Sequence, residues 1–309
     1  MKHEFTYPSI DGKTNIHAIE WIPDEKPRAA VQILHGMVEF IDRYDDFAEF
    51  LNKNGIYAAG NDHLGHGSSV TSEKELGFFH EGDGNECVIA DIHTLHNKIR
   101  EKYPDIPIFL LGHSMGSFLG RQYIEMYGND LTGAIISGTA YIPVSELRFA
   151  EFLARCLGKM HGSHYISPLL DKLGIGSYNK KYEPARTPDD WLTKDTEIVD
   201  RYVNNPLNQF HFTVNAYYHM FRGLEYAEKD ENIRKLPDHL PILLASGQDD
   251  PVGGEGEGVK KVYDSFLKNG KTNVTFRLYE NDRHEILNET DRDKVYQDML
   301  SFLEEHIPG

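Results

Sequence analysis

Apolar positions along this chain fall into two alternating patterns. Residues 16–21, 29–34 and 56–59 are short apolar runs with the length of strands. Between them Phe47-Ala48-Glu49-Phe50-Leu51 predicts a helix, closed by Asn54-Gly55. Over residues 87–103, Val88, Ile92, Leu95 and Ile99 recur at spacings of four, three and four, which turns one helix face to a core. Pro104 and Pro107 bracket its exit, and a continuous apolar strand follows over 108–111. The alternation returns late in the chain. Residues 241–245 predict a strand, and Val259, Tyr263 and Phe266 a helix stopped at Gly270. A strand over 274–279 and a final helix marked by Val295, Met299 and Phe302 complete it. Unalternating strands separated by amphipathic helices predict a mostly parallel central sheet flanked by helices on both faces.

The segment from about 139 to 239 breaks this alternation and reads as helical fragments with loops. It is an insertion into one domain, so the core divides into 1–138 and 240–309 around an inserted helical lid over 139–239. Fourteen Phe, Tyr and Trp fall between Tyr141 and Tyr226. They either form the core of a small helical subdomain or line an apolar binding cavity beneath a lid.

Charge narrows the partners. Lys and Arg number 32 against 49 Asp and Glu, a formal net charge of −17, which repels phosphate backbones and argues against nucleic-acid binding. Two cysteines, Cys87 and Cys156, make no disulfide framework in 309 residues and suit a reducing compartment, so a cytoplasmic location is expected. The first seven residues carry no apolar stretch of the signal-peptide kind. No apolar run approaches the roughly 18 residues that span a bilayer, so no transmembrane segment is expected. The oligomeric state is not legible.

The chemistry starts at Gly112-His113-Ser114-Met115-Gly116, which follows the strand over 108–111 and opens a helical run to Tyr127. In a strand–turn–helix setting, G-x-S-x-G lifts the serine to the end of the sheet, and the glycines clear space around a strained turn. The Met115 N–H at the helix start then faces a developing oxyanion. A serine hydroxyl needs a base, and the base needs an acid to orient it, in the chain order Ser, acid, His on this fold. His284 follows the strand over 274–279 and is the only histidine between His239 and His306. Asp249 and Asp250, after the strand ending at Ala245, compete for the acid role, because adjacent side chains in an extended turn point to opposite sides. After Leu34, His35-Gly36-Met37 lets the backbone approach closely, so that the Met37 N–H can serve as second oxyanion donor.

Together these residues resemble the monoacylglycerol lipase and lysophospholipase branch of the α/β-hydrolase superfamily, which are serine aminopeptidase-like hydrolases. The likeness runs through His35-Gly36 with Glu39, Arg43 and Tyr44, then Asp62-His63-Leu64-Gly65-His66-Gly67-Ser68, then the serine motif. It ends with Gly247, Asp250, Pro251 and Val252, then Arg283-His284-Glu285 and Asn288-Glu289. The resemblance implies an α/β-hydrolase fold with a helical cap and a triad of Ser114, Asp250 and His284. It implies an oxyanion hole from the Met37 and Met115 amides. It favours Asp250 over Asp249, since the family's acid sits three residues after the glycine matched by Gly247. Val38 departs from the pattern, standing where a small residue, often glycine, is common.

The expected activity is a serine carboxylic-ester hydrolase acting on monoacyl lipids through an acyl-serine intermediate, with a small-molecule ester or monoacyl lipid as its partner and no cofactor. The alternatives are a small-ester carboxylesterase and a peptidase or amidase of the same fold. Proline iminopeptidases usually carry a glycine- and proline-rich oxyanion loop, which His35-Gly36-Met37-Val38 lacks. Two further classes are weaker. A non-catalytic hydrolase fold would have lost a triad member. Metal-dependent hydrolysis would draw on Asp62, His63 and His66, or Asp91, His93 and His96, but no metal site is expected. His63 and His66 belong to the family's loop motif, and His93 and His96 flank an apolar stripe in a way that suits a solvated face.

Overall fold

In the computed structural model, which describes residues 1–308, eight strands form one sheet. They are β1 (Lys2–Pro8), β2 (Asn15–Trp21), β3 (Ala29–Leu34), β4 (Ile56–Asn61), β5 (Ile108–His113), β6 (Gly133–Ser137), β7 (Ile242–Gly247) and β8 (Val274–Tyr279). Their spatial order is β1-β2-β4-β3-β5-β6-β7-β8. The β1–β2 and β2–β4 pairs are antiparallel, and every later pair is parallel.

Parallel strands need crossovers, and the helices that supply them cover both faces. Ile108 and Leu110 of β5 pack with α2 (Gly84–Lys102), α3 (Met115–Tyr127) and α9 (Glu257–Lys268). Phe109 and Leu111 face the opposite layer, formed by α1 (Asp45–Lys53) and α10 (Arg292–His306). Burial on both faces is why β5 is apolar at consecutive positions. Between β6 and β7 the chain leaves the sheet for α4 (Val144–His161), α5 (Pro168–Gly174), α6 (Thr196–Asn204), α7 (Val214–Ala227) and α8 (Asp230–Ile233). Among the described residues, no helix is long and apolar enough to cross a membrane.

The structure adds two strands to those legible in the pattern. β1 lies at the sheet edge with only Tyr7 buried, so it lacks an apolar run. β6 is five residues long and begins Gly133-Ala134, too short and small to stand out. One expectation is corrected. His96 is buried and its imidazole is pushed down to about 4 by burial beside His93. His93 stacks on Tyr127 at 4.0 Å and shares a 2.9 Å hydrogen bond with the Tyr123 hydroxyl. The face expected to be solvated is covered by the tyrosines of α3.

Candidate active site

The turn between β5 and α3 holds Ser114 at φ 54° and ψ −122°, a conformation that L-residues rarely adopt. Its neighbours explain how the turn closes. A Cβ on Gly112 would stand 2.3 Å from the Gly116 carbonyl oxygen, and one on Gly116 would stand 2.1 Å from that of Leu34. No side chain fits at either place. The Ser114 N–H donates to the Ser137 carbonyl at 3.0 Å, tying the turn to the end of β6.

The loop after β7 carries Asp250 and the loop after β8 carries His284, both buried. His284 Nδ1 and Asp250 Oδ2 are 3.0 Å apart. Asp250 also accepts from Ser246 Oγ at 3.0 Å and from the Val252 N–H at 2.8 Å. Burial works against its charge, but His284 and these donors outweigh it and hold the carboxyl below its ordinary range. Burial likewise pushes His284 down. The Asp250 carboxylate, with Glu285 and Glu39 beyond it, reverses this, so the imidazole is raised above 6.5. Its Nε2 is buried with no hydrogen-bond partner among the described residues. Asp249 faces elsewhere. Its half-exposed carboxylate pairs with Lys181 at 3.0 Å.

The loop after β3 lies against the serine, and a Cβ on Gly36 would stand 3.0 Å from the Ser114 Cβ. His35 Nδ1 is 2.7 Å from the Gly36 carbonyl oxygen, and His35 Nε2 accepts from the His63 N–H at 2.9 Å. That pair of contacts requires the neutral Nδ1–H tautomer, and burial lowers the pKa of this imidazole accordingly. Because C=O and N–H point oppositely across a trans peptide, the contact on the Gly36 carbonyl also orients the Met37 N–H. Glu39 accepts from the Gly36 N–H and from the Tyr44 hydroxyl. Arg43 donates to Glu39 and, through both terminal nitrogens, to Glu285 at 2.7 Å each. Burial opposes the Glu285 charge, yet Arg43 brings its carboxyl down to about 2. This chain of ion pairs joins the loop carrying Met37 to the loop carrying His284.

Met37, Ser114, Met115 and His284 open together onto one cavity of about 1110 Å³. Apolar side chains make up much of its wall, among them Leu147, Leu170, Met220, Phe221 and Leu224. Eight of the fourteen aromatics between Tyr141 and Tyr226 line it, Trp191 and Phe210 included. Others, such as Phe212, are buried in the core beneath, so the aromatic cluster serves both purposes.

The motifs leave several supporting residues unmarked. Trp191 packs on the His284 ring at 5.0 Å. Tyr202 and Asn208 donate to the Val38 carbonyl at 3.1 and 2.7 Å. They lie more than 160 residues beyond Val38, and no local signal connects them to it.

A serine held in the left-handed region by flanking glycines, at the carboxyl edge of a sheet in this order, is how an α/β-hydrolase presents its nucleophile, and fold and site both put the chain in that class. The chain belongs to the Hydrolase_4 family, described as serine aminopeptidase, S33, whose model matches residues 25–291. It is 26% identical to the monoacylglycerol lipase of Mycolicibacterium smegmatis over 99% of this chain and 98% of that one. Identity to a phospholipase of Bacillus subtilis is 25%, over 92% of this chain and 98% of the relative. A carboxyl esterase from Bacillus coagulans, solved in complex with glycerol, is 31% identical with a TM-score of 0.92 over 99% of both chains. The chain is a lipase- and esterase-type hydrolase.

Proposed function

We propose that this hydrolase cleaves the carboxylic ester of monoacyl lipids, monoacylglycerols foremost, at Ser114. The observation that carries the reading is the cavity of about 1110 Å³, largely apolar, on which Ser114 and His284 open together. It exceeds what a short ester fills, since small-molecule sites run about 300–1,000 Å³. The naming of relatives as monoacylglycerol lipase and phospholipase supports a lipid ester. Within this reading the helical segment 139–239 is the cap over the acyl chain. Two free cysteines suit a cytoplasmic enzyme.

The roles follow from the contacts. Ser114 Oγ attacks the ester carbonyl while His284 Nε2 takes its proton, and Asp250 holds the ring with Nδ1 protonated. The Met37 and Met115 amides receive the negative charge that forms on the carbonyl oxygen. Neither donates to another group among the described residues. The tetrahedral adduct collapses as His284 returns the proton to the leaving alkoxide, which departs as the alcohol. Water, deprotonated by the same imidazole, then cleaves the acyl-serine to the fatty acid and free Ser114.

A second reading, a carboxylesterase of small esters, is favoured by the likeness to the Bacillus coagulans esterase. Labelling with a fluorophosphonate, followed by peptide mapping, tests the site. A single adduct on Ser114, with glycerol and fatty acid released in equal amounts from a monoacylglycerol, is expected. An adduct elsewhere contradicts the assignment.

A further inference from the structure

Val38 combines two features that conflict locally. It has φ 57°, and a β-branched side chain strongly disfavours that region. Such a conformation persists only where surrounding contacts over-determine it. Both contacts on its carbonyl come from the inserted helices. Tyr202, on α6, donates its hydroxyl at 3.1 Å, and Asn208, just beyond α6, donates its side-chain N–H at 2.7 Å. All three residues are buried.

The peptide on the other side of Met37 is anchored independently, through the His35 contact to the Gly36 carbonyl. The core thus holds the Gly36–Met37 peptide, which carries the Met37 N–H, by its carbonyl, and the insertion holds the chain beyond Met37 by the Val38 carbonyl. Releasing the second hold lets Val38 relax to negative φ, which re-aims the Met37–Val38 backbone. We propose that Tyr202 and Asn208 are positioning residues of the oxyanion loop: they hold Val38 left-handed from the insertion and so keep the Met37 N–H turned to Ser114. This rests on the reading of Met37 as an oxyanion donor. A glycine at position 38 would need no such clamp, because it holds positive φ unaided.

The test uses the full chain with Tyr202→Phe and Asn208→Ala, singly and together, in Val38 and Val38→Gly backgrounds. Tyr202→Phe keeps the ring that stacks under the Arg43 guanidinium at 4.9 Å and removes only the hydroxyl. Each variant is first checked for a native circular dichroism spectrum; if the double variant fails to fold, the two single variants carry the comparison. The readouts are kcat, KM and the affinity of a trifluoromethyl ketone, whose hemiketal oxygen occupies the oxyanion position. The double substitution in the Val38 background should lower kcat by about 10- to 100-fold, below the loss expected for removing a donor outright. KM should change less than about twofold, with inhibitor affinity falling in step with kcat/KM. In the Val38→Gly background the same pair should cost less than about threefold, because glycine holds positive φ unaided.

Three results would overturn it. Unchanged kcat in the double variant removes the clamp and leaves Met37 as donor. A rise in KM alone makes Tyr202 and Asn208 substrate contacts instead. A fall in kcat without loss of inhibitor affinity refutes the Met37 assignment itself.

Discussion

The φ of 54° at Ser114 strains any residue that carries a Cβ, serine and alanine alike, so its chemistry and its energetics can be separated by substitution. Ser114→Ala should reduce kcat by roughly 10⁴-fold or more while leaving the thermal midpoint nearly unchanged, because triad members act as a unit. Ser114→Gly should be as inactive yet melt above the alanine variant. Relief of an unfavourable conformation is worth about 1–3 kcal/mol, more than the roughly 0.5–1 kcal/mol of extra chain entropy that glycine loses on folding. Differential scanning calorimetry on the pair checks this, and an alanine variant that melts higher would show that the turn stores no strain. Asp250→Asn should cost about 10³- to 10⁴-fold in kcat by leaving His284 in the wrong tautomer. Asp249→Asn, which removes one surface partner of Lys181 and leaves its pair with Glu255 at 3.2 Å, should cost little; the reverse ranking would mean that Asp249 is the acid. Since His284 is raised above 6.5 and must be neutral to accept a proton, kcat/KM should fall on acidification with a midpoint above 6.5. A midpoint below 6.5 would mean that the Asp250, Glu285 and Glu39 charges do not reach the imidazole. The serine and histidine were legible because each stands in a recognisable place after a strand. Asp249 and Asp250 look alike in sequence, and only the structure shows that Asp250 lies 3.0 Å from the His284 ring while Asp249 pairs with Lys181.

At the scale of elements, the inserted helices are fastened to the core by a buried charge. Arg121 of α3 is fully buried and pairs with Glu228 at 3.0 Å, also donating to the carbonyls of Ala140 and Ala227. Those carbonyls lie just after β6 and at the end of α7. Burial raises the Glu228 carboxyl, against the pull of Arg121. Nearby Glu125 is buried with neither oxygen hydrogen-bonded among the described residues, and burial raises its carboxyl well above the usual range. Arg121→Met should therefore destabilise the protein by about 3–5 kcal/mol, because it strands a buried carboxylate. Adding Glu228→Met should recover most of that loss. Urea unfolding of the single and double variants measures both, and a single-variant loss under about 1 kcal/mol would mean that water reaches the pair. None of this is legible in the sequence. The strands and helices of the core follow from period and punctuation, but Arg121 in a helix gives no sign of whether solvent or protein will cover it. The covered His96 is hidden for the same reason, its burial being decided by tyrosines of α3, whereas β1 lacks an apolar run and β6 is short and begins with small residues.

At the scale of the molecule, a core that is largely sequence-legible carries a chemistry that is also legible, while the insertion that shapes the cavity is neither. Its fourteen aromatics could be counted in the sequence, yet only the fold sorts those on the cavity wall from those packed beneath it. The proposed preference for long monoacyl esters rests on that cavity, so the cavity rather than the triad tests it. The measurement is kcat/KM for glycerol monoesters from about two to sixteen acyl carbons, each kept below its aggregation threshold. Each methylene buried in the apolar wall is worth about 0.8 kcal/mol, which predicts a rise of roughly fourfold per added carbon until the cavity is full. A maximum at about eight carbons or more, followed by a plateau or decline, is expected; a maximum at about two to four carbons would make the enzyme an esterase of small esters instead.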